Sequence, residues 1–176
     1  MRRLLTLIVL LAFIGCISGE EKKDWQTVEI SDLKRLNLKT VDVIFVTSKF
    51  CEPCKPAKAA MAEVKEEAES LGIYVNIMTY SVDNVEDVNS YLSALGVLSE
   101  YGGVQALPIV RFSNLELLHG PKVENKDNYK KMFIWSILQN DRLKKEDTTT
   151  EKTIEIYEVR NQGKKLELVS RKKYKI

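Results

Sequence analysis

The sequence predicts an α/β fold in which a mixed central sheet is flanked by helices and followed by a C-terminal β-hairpin extension. Three observations carry that expectation. Val43-Ile44-Phe45-Val46 is a continuous β-branched and aromatic run of the kind buried on both faces of a sheet. Beyond it, Ala57, Ala60, Met61, Val64, Ala68 and Leu71 recur at three- and four-residue spacing, while Lys58, Glu63, Lys65, Glu66 and Glu69 fill the other face. That is an amphipathic helix ending at Gly72. Ile73 to Tyr80 returns to strand character, and Val85, Val88, Tyr91, Leu92, Leu95 and Leu98 mark a second helix. Strands that alternate with helices pair in parallel, because parallel neighbours need a crossover. Ile109 to Phe112 and Leu115 to His119 then form an antiparallel pair around Ser113-Asn114, which makes the sheet mixed.

Composition bounds the rest. The 176 residues allow one ordinary domain with appendages, and 44% hydrophobic with 30% charged residues excludes a disordered tail, a collagen-like repeat and a multi-pass membrane protein. The 27 basic residues almost balance the 25 acidic ones, so nothing in the charge asks for nucleic acid. The expected organisation is a signal peptide or lipoprotein anchor over residues 1–19, a domain over 20–145 and the hairpin extension over 146–176.

The N-terminal segment has the pattern of an export signal. Arg2 and Arg3 precede an apolar run from Leu4 to Ile14 broken only by Thr6, and Gly15, Cys16, Ile17, Ser18 and Gly19 follow. The run is shorter than the roughly 20 apolar residues that cross a bilayer, so cleavage or lipidation is expected ahead of a permanent span. Phe13-Ile14-Gly15-Cys16 resembles a lipobox, which makes Cys16 a candidate lipid attachment site; the alternative is that Cys16 is a small apolar member of the run. Either way the rest of the chain is expected outside the cytoplasm, anchored to the membrane or secreted.

With Cys16 set aside, the remaining cysteines are Cys51 and Cys54, separated by Glu52 and Pro53. A disulfide closing so small a loop removes little entropy from the unfolded chain, so a redox role is the economical reading. A structural zinc site needs four ligands, and two thiols with the single His119 do not supply them, so no metal is expected. The strand-to-helix junction sets Cys51 just before the first helical turn, where free backbone N–H groups favour a thiolate. Pro53 is tolerated there and stiffens the geometry between the sulfurs. Cys54, one turn along and facing inward, is the expected resolving thiol.

From about Val41 to Asn140 the chain resembles the thioredoxin family. The resemblance is carried by Val43-Ile44-Phe45-Val46 leading into Phe50-Cys51-Glu52-Pro53-Cys54-Lys55, and by Tyr101-Gly102-Gly103-Val104-Gln105-Ala106-Leu107-Pro108 ahead of the strand Ile109 to Phe112. It implies that Pro108 is a cis-proline facing the cysteines and that Leu107 and Pro108 offer the backbone platform for a substrate peptide. It also implies catalysis by Cys51 and Cys54 with no cofactor. The departures are Phe45 where thioredoxins carry a buried aspartate, Thr47 where they carry a tryptophan, and Pro56 unusually early in the helix. The Glu-Pro dipeptide and the export signal are similar to those of extracytoplasmic thioredoxin-like reductants serving cytochrome c maturation. The function these features imply is an exported, membrane-tethered thiol–disulfide oxidoreductase acting on protein thiols and disulfides and recycled by a redox partner. The alternative is a non-catalytic binding or assembly module with a vestigial disulfide.

His119 is expected to be a solvated strand-end residue. Asp127 or Asn128 is expected to cap the last helix, whose Tyr129, Met132, Phe133, Trp135, Ile137 and Leu138 are too many for one face. The hairpin from about Thr153 to Arg171, turning through Asn161-Gln162-Gly163, presents Ile154, Ile156, Leu166 and Leu168 and is expected to pack on that helix. The closing Arg171-Lys172-Lys173-Tyr174-Lys175 reads as a solvated strand end, with contact to anionic lipid as the alternative.

Overall fold

The structure, a computed structural model, describes residues 24–87, 107–119 and 125–175. Six strands form one mixed sheet: β1 (Thr40–Thr47), β2 (Tyr74–Ser81), β3 (Ile109–Arg111), β4 (Leu115–His119), β5 (Glu151–Arg160) and β6 (Lys165–Lys175). Their order is β2-β1-β3-β4-β5-β6, with β1/β2 and β4/β5 parallel and the other pairs antiparallel. Two long helices, α1 (Cys54–Ser70) and α2 (Lys126–Glu146), pack on each other and on one face of the sheet. Most of the expected second helix and the Tyr101 to Ala106 segment lie outside the described residues, as do residues 1–23.

β1 is buried on both faces. Val41, Val43 and Phe45 join the main core under the helices, whereas Val46, with half-buried Ile44, joins a second cluster on the other face that includes Ile109, Ile154 and Ile156. This is why its sequence is apolar without alternation. α1 buries Ala57, Ala60, Met61, Val64 and Ala68, the stripe its spacing predicts. Gly72, at φ +82°, takes the left-handed conformation that lets the chain turn into β2.

The last helix is capped by Asn125, not by Asp127 or Asn128. Its side chain accepts from the Asp127 N–H at 2.9 Å, because the helix begins at Lys126 and the cap lies one residue ahead of it. The surplus of apolar residues on α2 is covered by α1 and by two short 3₁₀ turns, Trp25–Thr27 and Ile30–Arg35, which carry Trp25, Val28 and Leu33 into the core. Lys126 pairs with Glu63 and Lys130 with Glu67 across the exposed side of the two helices.

The hairpin packs on the domain and meets the helix carrying Phe133 and Trp135, as expected, but with a different set of residues. It does so as part of the sheet: β5 adds to β4 in parallel, with β6 outermost. Tyr157 meets Trp135 of α2 edge-on at 4.9 Å, and Val159 and half-buried Leu166 join the same main core. Ile154 and Ile156 point to the opposite face, and Leu168 is exposed. Alternation along one strand requires this, since residues 154 and 156 cannot share a face with 157.

The face toward α2 is held by polar groups as much as by apolar ones. The N–H of buried Asn114 donates to Asn140 Oδ1 at 2.7 Å, and its Nδ2 donates to Asp147 Oδ2 at 2.7 Å and to the Thr153 carbonyl at 2.9 Å. Fully buried Glu155 accepts from Tyr157 Oη at 2.7 Å and from Arg142 at 3.1 Å and is paired with Arg171 at 3.0 Å. Burial, reinforced by that bond to Glu155, pushes the Tyr157 hydroxyl pKa well up. Asn114→Ala keeps the backbone bond to Asn140 but removes the two bonds donated by Nδ2, leaving half-buried Asp147 Oδ2 and the buried Thr153 carbonyl to find other donors. An unsatisfied buried group costs about 1–3 kcal/mol, so urea unfolding is expected to show a loss of that size.

Glu116 gives a pH signature. It is buried on the face away from α2, and its Oε2 accepts no hydrogen bond among the described residues. Burial raises its pKa above 4.5, with Arg111 only partly opposing the shift. Above pH 4.5 the folded chain therefore holds this proton longer than the unfolded chain, so stability falls as pH rises through that window. Glu116→Gln is expected to raise the urea midpoint near neutral pH and to leave it unchanged well below pH 4.5. An equal effect at both pH values would mean that packing, not charge, sets the difference.

Candidate functional site

β1 delivers the cysteines to the head of α1. After Thr47 the chain makes a turn in which the Cys51 N–H donates to the Ser48 carbonyl at 3.1 Å and the Cys54 N–H to the Cys51 carbonyl at 3.2 Å. Pro53, at φ −69° and ψ −14°, is the residue before the helix and already has helical torsions. Pro56 is the third helical residue, where its missing donor has no intrahelical partner to lose. Cys51 and Cys54 are joined in a disulfide with Cα atoms 5.3 Å apart. The two sulfurs are inequivalent: Cys51 is half-buried, while Cys54 is 4% exposed among the core residues. Glu52 is exposed and Pro53 is half-buried between them.

Strand register brings a second segment to the same end of the sheet. Ile109 pairs with Val46, so one step further along the antiparallel ladder stand Pro108 and Thr47. The Leu107–Pro108 peptide is cis; Pro108 is buried, and half-buried Leu107 packs against the cluster of Val46, Ile109, Ile154 and Ile156. His119 closes β4 at this end, in register with Val159. Cys16 lies outside the described residues. Among the described residues no group of three or more His, Cys, Asp or Glu is disposed to hold a metal, and no helix is long and apolar enough to cross a membrane.

Two features of the site escape a reading of the sequence alone. Phe50, immediately before Cys51, is 79% exposed, and the Lys49 ammonium lies 4.9 Å from its ring centroid. Asp83, two residues beyond β2, accepts from Ser48 Oγ at 2.9 Å and from the Lys49 N–H at 2.6 Å. These bonds, the backbone one foremost, hold its carboxyl below the usual aspartate range. The only signal for Asp83 is its position once β1 and β2 are aligned in parallel, Thr47 opposite Ser81.

What the arrangement supplies chemically is a pair of sulfurs close enough to bond, one accessible and one buried. In the reduced chain Cys51 is therefore expected to be alkylated before Cys54 near neutral pH, as competitive labelling with mass-spectrometric peptide analysis would read. Faster labelling of Cys54 would reverse the two roles. No family model, curated protein or solved structure matches this chain.

Proposed function

We propose that the chain is a thioredoxin-like thiol–disulfide oxidoreductase, exported and tethered to the membrane through its N-terminus, whose substrates are protein cysteines. The observation that carries this reading is the Cys51–Cys54 disulfide at the head of α1, one sulfur accessible and the other sealed in the core. A staple that closes a loop this small contributes little stability, so the pair is better explained by chemistry than by architecture. The sheet supports the thioredoxin-like reading: β2-β1-β3-β4 has the parallel, antiparallel, antiparallel pairing that places a strand-to-helix cysteine pair beside an X-Pro segment at one end. Export and tethering rest on Arg2, Arg3, the run from Leu4 to Ile14 and Cys16.

The exchange balances as follows. In the reducing direction the Cys51 thiolate attacks one sulfur of a substrate disulfide, forming a mixed disulfide and releasing the other substrate sulfur as a thiolate. Cys54 then loses its proton and attacks Cys51 Sγ, expelling the second substrate thiolate. Two electrons pass to the substrate, its two thiolates take up protons, and the chain is left with the Cys51–Cys54 bond. A dithiol protein then reduces that bond, and the oxidising direction is the reverse sequence. Leu107 and Pro108 offer backbone groups to an extended substrate segment beside Cys51, in the manner of strand addition.

The test is catalysed reduction of a protein disulfide with dithiothreitol as electron source. Wild type is expected to exceed dithiothreitol alone, Cys51→Ser to abolish the excess, and Cys54→Ser to accumulate mixed disulfides through Cys51. If wild type adds nothing to the uncatalysed rate and Cys54→Ser traps no partner, the pair is a vestigial disulfide and the chain is a binding module.

A further inference from the structure

We propose that Asp83 is a positioning residue for Cys51, fixing the turn that carries the reactive sulfur and thereby setting the equilibrium between the Cys51–Cys54 dithiol and its disulfide. This rests on the oxidoreductase reading for its purpose, although not for its measurement. β1 and β2 run in parallel to Thr47 and Ser81, and one more ladder bond, Val82 N–H to the Thr47 carbonyl at 2.9 Å, closes the pairing. Beyond that point Lys49, Phe50 and Cys51 have N–H groups that the sheet no longer satisfies.

Asp83 completes the set. The Lys49 N–H donates to Asp83 Oδ2 at 2.6 Å, the Phe50 N–H to Ser48 Oγ at 3.2 Å, and the Cys51 N–H to the Ser48 carbonyl at 3.1 Å. Ser48 is itself held by Asp83, to which its hydroxyl donates at 2.9 Å. One carboxylate therefore orders two of the three donors, directly or through Ser48, and fixes the residue that accepts the third. The aspartate is in turn anchored on β2: Ser81 Oγ donates to Asp83 Oδ2 at 3.1 Å, the Asp83 N–H donates to Ser81 Oγ at 3.3 Å, and the Ser81 N–H donates to Asp87 Oδ2 at 3.0 Å. The Lys49 ammonium is the cation that faces this carboxylate.

A disulfide forms readily only when its two sulfurs are held at bonding distance and orientation. Cys54 is fixed by the helix and the core, so the freedom that matters belongs to Cys51, and it is the Ser48–Phe50 turn that limits it. Without Asp83 the reduced pair samples more positions and the disulfide becomes easier to reduce.

The measurement is redox equilibration of the purified chain with glutathione, which reads the pair whether or not the chain turns over a substrate. Asp83→Ala is expected to lower the equilibrium constant for disulfide formation by about three- to tenfold, the upper figure being ~30 mV for a two-electron couple. Asp83→Asn keeps an acceptor for the Lys49 N–H and is expected to recover most of the wild-type value. Ser48→Ala breaks the relay while leaving the carboxylate in place and is expected to shift the equilibrium in the same direction by less. It also carries the test if Asp83→Ala does not fold. A purely structural role would lower the melting temperatures of the oxidised and reduced forms equally and leave the equilibrium unmoved. An unmoved equilibrium in Asp83→Ala, or in Ser48→Ala where that variant stands alone, overturns the proposal. Inactivity of the wild type in substrate reduction overturns the oxidoreductase reading instead.

Discussion

Everything in the described structure depends on β1 being buried on both faces and paired on both edges. Parallel pairing with β2 forces a crossover, and the crossover is α1, so the residues that link strand to helix must lie at the C-terminal end of β1. Antiparallel pairing with β3 brings the start of that strand, and the Leu107–Pro108 peptide before it, to the same end. Two registers on one strand thus assemble Cys51, Cys54, Asp83 and Pro108 from three separate stretches of sequence. In open α/β sheets the carboxyl ends of parallel strands are where ligands bind, because the loops there are free of the sheet yet fixed by it.

The sequence made β1, α1 and β2 legible because their signals are local: an unbroken apolar run, a helical stripe, and a glycine at the turn. The N-terminal turns carrying Trp25, Val28 and Leu33 were not legible. Each is too short to show a period, and their burial depends on a helix a hundred residues away. The hairpin lies between these cases. Ile154 and Ile156 announced a strand with one apolar face, but Thr153, Glu155 and Tyr157 on the other face look like solvent-facing residues until Asn114, Arg142 and Arg171 are brought to them. Asp83 was hidden for the same reason, since its partners Ser48 and Lys49 become neighbours only after the parallel register of β1 and β2 is known.

That polar face also explains why β5 has one register and not two. A slip by one residue would carry Ile154 toward the Arg142 and Arg171 guanidinium groups and would set Glu155 among Val46, Ile109 and their apolar neighbours. An ionised carboxylate there would lose its hydrogen bonds and its counter-ions together, and burial without pairing costs several kcal/mol per ion by order of magnitude. The pairing of Glu155 is thus better regarded as a penalty on the wrong register than as a large net gain in the right one.

The same weighing of burial against charge bears on the cysteines. Under the oxidoreductase reading, the position six residues before Cys51 is where thioredoxins hold a buried acid, and here it is Phe45, 1% exposed. Phe45 lines a cavity of about 330 Å³ between α1 and β2, whose charged lining is Lys58 and Lys65. Among the described residues the lining of that cavity includes no carboxylate. Cys54 is sealed in the core, whereas Cys51 stands at the helix head and in partial contact with water. Under the oxidoreductase reading, the division between attacking and resolving sulfur would rest on this difference in burial and on the helix rather than on a buried acid, with Lys49, Glu52 and Asp83 as the charges on the rim.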